Sequence, residues 1–183
     1  MADPIETTLS AMIKALSGVV ADALESSDPG AQEQLKLCIE YLEFFEQRLH
    51  LMTARNRREF ELTLDYCVSL CELPIEEVSR STASELRQAV EEMLARDGWS
   101  PADDRAFRDA TERLNGLASN IVRLATAAAP ELRDRVNLVI VEGAQSVIEL
   151  ERAWYLPLGF DHHPEELPEL AAVLEARSVV VQG

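Results

Sequence analysis

From Ala31 to Leu73 the chain has neither glycine nor proline, so nothing in that stretch compels a helix to stop. A helix of that length would extend about 65 Å at 1.5 Å per residue. A compact chain of this size has a radius of gyration of roughly 16 Å and a diameter near 40 Å. The segment is therefore expected to bend, break or project towards a partner.

Aromatic residues are scarce, at 5%, so a core must come from Leu, Val, Ile and Ala, which suits helices packed through aliphatic side chains. The three cysteines, Cys38, Cys67 and Cys71, include no C-x-x-C pair. That excludes a disulfide framework and reads as reduced, half-buried helix residues in a reducing compartment. Cys67 and Cys71 share a helix face, as packing residues or as a redox pair. No apolar run is long enough to span a bilayer, and the N-terminus shows no signal-peptide pattern. A soluble, cytoplasmic protein is expected.

Positive charge is also short. Acidic residues outnumber basic ones 33 to 17, for a formal charge of −16. Such a surface repels nucleic-acid phosphates and anionic headgroups, so neither nucleic acid nor membrane is an expected partner. Nucleophile elbows, phosphate-cradling glycine loops and zinc-metalloprotease motifs are missing. A di-iron bundle needs Glu-x-x-His, which does not occur, and Glu43, His50, Glu142 and Glu149 point away from the apolar seams. Asp161-His162-His163, with Glu165 or Glu166, is the one histidine cluster. It reads as a loop entering a helix at Pro164 rather than as a metal site. No catalytic residue, metal or cofactor is assigned.

What remains is a regular helical pattern in 183 residues that are 47% hydrophobic, enough for one domain over 1–183 with 178–183 a flexible tail. Asp3-Pro4, Asp28-Pro29 and Ser100-Pro101 each place a capping residue before a proline at a helix start. Pro130 opens a further helix, and Gly98 is a left-handed stop. Apolar residues step by threes and fours through Ile5, Leu9, Met12, Leu16, Val19 and Ala23, and again through Leu35, Cys38, Leu42, Phe45, Leu49 and Met52. The same spacing runs from Phe107 to Ala128, and through Leu132, Val136, Val139, Gly143, Val147, Leu150 and Trp154. These stripes predict an all-α helical bundle of four long amphipathic helices. Short helices are expected at 74–81, at Ala83–Arg96 behind a Thr82–Glu85 capping box, and at Pro164–Arg177.

Thr53–Glu59 interrupts the long segment with polar residues. At 3.6 residues per turn the stripe resumes in register at Asn56, Phe60, Leu64, Cys67 and Cys71, which predicts a continuous or kinked helix with Asn56 on the seam. Arg55, Arg57 and Arg58 read either as a solvated face paired with Glu59 and Glu61 or as a docking point for an acidic partner. A second apolar line, Leu37, Tyr41, Phe44 and Leu51, marks a central helix or an oligomer interface. The expected function is a non-catalytic protein-binding bundle that self-associates as a homodimer through helix 31–73. Arg55, Arg57, Arg58, Tyr41 and Phe44 are its partner-binding residues. The alternative is a ligand-binding or enzymatic bundle with a pocket between helices, beside Gly143.

Overall fold

The computed structural model describes residues 4–24, 28–96 and 104–176. The Asp3 cap, the Gly98 stop, the Ser100-Pro101 start and the 178–183 tail lie outside the described residues. The chain is 87% helical, with no strand among the described residues, so the all-α architecture of long amphipathic helices is established. It divides into two compact units: residues up to Met52 with Tyr155–His162, and Thr53–Trp154 with the residues from His163 onward.

The first unit is built on α1 (Pro4–Ala15) and α3 (Pro29–Arg48). A π-helical turn, Leu16–Val20, and the one-turn α2 (Ala21–Ala23) extend α1. Asp28 caps α3, its Oδ1 accepting the Ala31 N–H at 2.9 Å, with Pro29 in the first helical turn. α1 packs on α3, and the Ser10 hydroxyl donates to the Glu46 carboxylate. The turn Leu156–Leu158 also lies against α3.

The apolar seams expected on these two helices are only partly covered. On α1 and its π-helical extension, Ile5, Met12 and Val19 are exposed, and the half-buried line is Leu9, Ile13 and Leu16. On α3, Cys38 and Phe45 are exposed, and the buried side chain is Phe44, from the second apolar line. Two helices in contact shield only a narrow strip of each other, so wide apolar faces stay open.

The second unit contains α4 (Met52–Cys71, from Thr53), α5 (Arg80–Leu94), α6 (Asp104–Ala125), α7 (Pro130–Tyr155, to Trp154) and α8 (Leu170–Glu175). Here the seams are where the sequence puts them. Phe60, Leu64, Cys67 and Leu70 of α4 meet Leu86 and Val90 of α5, Phe107, Leu114 and Ile121 of α6, and Leu132 and Val136 of α7 in one buried cluster. The Phe60 and Phe107 rings pack 5.7 Å apart. Arg87 of α5 donates to the Cys71 carbonyl at 3.0 Å and to the Leu73 carbonyl at 3.5 Å, satisfying the end of α4.

From Pro29 to Cys71 the backbone is helical, with a single 3₁₀ turn at Leu49–Leu51 between α3 and α4. The polar section Thr53–Glu59 is regular α-helix, and Asn56 is buried on the seam as its phase requires. Two boundaries differ from expectation. Ser79 rather than Thr82 caps α5, its hydroxyl accepting the Thr82 N–H at 3.4 Å. The helix expected over Pro164–Arg177 is a 3₁₀ turn, Pro164–Glu166, followed by α8. Pro168 holds Leu167 extended and breaks it.

Candidate protein-docking site

All three arginines of α4 are engaged within the second unit. Arg57 Nε donates to Glu61 at 2.8 Å, and Arg58, itself buried, reaches the other Glu61 oxygen at 3.4 Å. Arg55 Nη1 donates to Glu59 at 3.1 Å and to Asn56 Oδ1 at 3.2 Å. Its Nη2 pairs with Glu151 of α7, and its guanidinium lies 5.4 Å from the centroid of the buried Trp154 ring. Arg55 is thus a clasp between α4 and α7. The carboxylates of Glu59 and Glu61, the alternative foreseen for this cluster, are its partners.

Below Arg55, Asn56 Nδ2 donates to Asp104 Oδ1 at 2.5 Å, and Arg108 Nη2 stands 3.0 Å from the other Asp104 oxygen. Arg55, Asn56 and Arg108 border a cleft of about 570 Å³ along α4 and α6, which Glu59, Glu112 and Asn115 also line. The Thr111 hydroxyl there is buried without a hydrogen-bond partner. Charges of both signs line the cleft in balance.

Two of the three thiols and one tyrosine are held protonated by burial. Burial pushes the Cys67 thiol up to about 12 and raises Cys71 and Tyr66 in the same direction. The Tyr66 hydroxyl donates to Asn115. A Cβ at Gly143 would stand 2.6 Å from the Tyr66 Cβ. Tyr66 fills the space beside Gly143, so the glycine serves close helix approach. His163, Glu165 and Glu166 present ligand atoms within 4.8 Å of one another. All three are exposed on the 3₁₀ turn at Pro164–Glu166, His163 Nδ1 lying 3.6 Å from Glu165.

In the first unit, α3 and the 157–160 segment enclose a groove of about 190 Å³. Phe44 lies at its floor, 3% exposed and stacked on Tyr155 at 5.5 Å. Its walls carry Tyr41 and Phe160, 43% and 66% exposed, so two large aromatic faces stand open to solvent. Glu40 and Glu43 add negative charge beside them. Glu40 pairs with the exposed Lys36 at 3.7 Å, a contact of little energetic weight. The groove joins Tyr41 and Phe44 of the expected binding set. It stands apart in the chain's contact pattern from Arg55, Arg57 and Arg58, which belong to the other unit.

Phe160 escaped the sequence reading. A phenylalanine following Gly159 in a proline-bearing loop has no helical period to mark it. Its one signal is its place at the end of the apolar run Trp154–Phe160, beyond the last helical stripe. No family model, curated protein or solved structure matches this chain.

Proposed function

We propose that this chain is a non-catalytic protein-binding bundle, an adaptor, assembly subunit or partner-specific chaperone, and that the groove on α3 is its docking site. The observation that carries the reading is the pairing of two open aromatic walls, Tyr41 and Phe160, with the carboxylates Glu40 and Glu43. Exposed aromatics are the anchors of binding hot spots. Beside carboxylates they fit a partner segment that is both apolar and basic, most naturally an amphipathic helix with lysine or arginine flanking its apolar face. The chain's formal charge of −16 draws such a segment in. An exposed, free Cys38 on α3 suits a cytoplasmic setting for the encounter. Self-association through helix 31–73 rests on the wide apolar arc of that helix; the face of α7 taken up below is a separate surface.

The test is a titration of the protein against a fluorescent amphipathic helix of leucine and lysine, with a leucine–glutamate helix as control. Saturable binding of the basic helix, weakened at least tenfold by Tyr41→Ser with Phe160→Ser at unchanged helicity, supports the reading. Equal binding by that variant, or preference for the acidic helix, contradicts it.

The unpartnered Thr111 hydroxyl in the α4–α6 cleft favours a second reading, a small-molecule-binding bundle. Thr111→Val abolishes ligand-induced thermal stabilisation if that reading is right and leaves peptide binding at the groove unchanged.

A further inference from the structure

The outer face of α7 carries a second apolar stripe that the fold leaves uncovered. Leu138, Val141 and Ile148 are 57%, 64% and 56% exposed, in the same helix whose inner face buries Leu132, Val136, Leu150 and Trp154. At about 100° per residue these exposed positions lie on the far side of the helix from Gly143, which faces Tyr66. The stripe is therefore no continuation of the core seam.

The six positions of this face pair off about Gly143. Leu138 and Ile148 are equidistant from that glycine, as are Val141 and Gln145, and beyond them Asp134 and Arg152. A two-fold axis through the middle of an antiparallel helix pair sets each residue opposite its mirror position on the partner. Rotating this helix onto itself puts Leu138 against Ile148 and Val141 against Gln145. It closes both ends of the seam with Asp134 opposite Arg152, acid to base. Alternating steps of four and three keep all six positions on one side, the period of a two-helix seam. A parallel pairing would instead place Asp134 against Asp134 and Arg152 against Arg152.

We infer that α7 pairs with α7 of a second copy of this chain, antiparallel and centred on Gly143, with Asp134 and Arg152 setting the register. The inference is independent of the docking groove, whose residues lie in the other unit.

Light scattering and sedimentation equilibrium across a concentration series provide the test, followed by crosslinking in a Cys38→Ser, Cys71→Ser background. The mass is expected to rise from 20.4 kDa towards twice that value, and Val141→Asp should hold it at the monomer value while circular dichroism stays unchanged. Asp134→Arg and Arg152→Asp should each weaken dimerisation at least tenfold, and the double reversal should restore it. With a bismaleimide, the Leu138→Cys chain should link to the Ile148→Cys chain faster than either links to itself. A monomer at all concentrations overturns the inference. So does a dimer indifferent to Val141→Asp, or preferential linkage of Leu138→Cys to its own kind, or failure of the double reversal to restore what each single reversal loses.

Discussion

Gly143 of α7 lies so close to Tyr66 of α4 that a methyl group on the glycine would come within 2.6 Å of the Tyr66 Cβ and 3.0 Å of its Cγ. Both tyrosine atoms sit close to the α4 backbone, so no rotamer change relieves the contact. Gly143→Ala gains about 1 kcal/mol in helix propensity but forces the two helices apart, a class of overpacking that costs about 1–3 kcal/mol. The net is a loss of stability, read as a lowered urea midpoint. Tyr66→Phe does not rescue it, because the crowded atom is the Cβ. A midpoint unchanged or raised by Gly143→Ala would refute the close approach.

Asn56 and Asp104 make the most exacting polar contact in the second unit. Asn56 is buried at 3% exposure and serves two neighbours, donating to Asp104 and accepting from Arg55. Replacing it with alanine deletes both hydrogen bonds from a buried site at a cost of about 1–3 kcal/mol, although Arg55 keeps Glu59 and Asp104 keeps Arg108. Asn56→Leu does not recover that loss, since it restores neither bond. Chemical denaturation of the three chains measures the difference.

The thiols separate by reactivity. Cys38 is exposed and reacts with a thiol reagent at once, Cys71 more slowly, and Cys67 only as the chain unfolds. Cys67 also couples stability to alkaline pH. Its folded value, about 12, lies above the ordinary 9.0 of a free thiol. The stabilisation is thus complete below the unfolded value and is lost as pH rises from about 9 towards about 12, by at most about 1.4 kcal/mol per pH unit. Cys67→Ala should flatten that slope, measured as urea midpoints across this window.

Phe44 and Tyr41 occupy neighbouring places and should fail differently. Phe44 is the floor of the groove and stacks on Tyr155, so Phe44→Ala costs about 3–5 kcal/mol of packing and loosens α3, seen as lost helicity. Tyr41 is a wall residue, and Tyr41→Ala leaves helicity and midpoint within about 0.5 kcal/mol of the parent while weakening capture of a basic helix.

The sequence made the second unit legible because four helices surround one core there. Each apolar stripe then has a neighbour to meet, and period alone places Phe60, Leu64, Leu114, Val136 and even the polar Asn56 inside. In the first unit a helix pair carries more apolar surface than one contact line covers, so period identifies apolar faces without saying which is buried. That is why Phe44 lies inside while Phe45, on the regular seam, lies outside. The arginine cluster was legible as charge, but its partner Glu151 lies 96 positions away, beyond the reach of local spacing. The groove itself needed the 157–160 segment brought back onto α3, a long-range closure with no sequence period to announce it.

The most direct measurement for the protein-binding account is NMR mapping of the leucine–lysine helix on the isotope-labelled full chain. The account predicts shifts concentrated at Glu40, Tyr41, Glu43 and Phe160, saturating with added peptide. Shifts concentrated instead at Arg108, Thr111 and Asn115 of the α4–α6 cleft, or no saturable shifts at all, would contradict it.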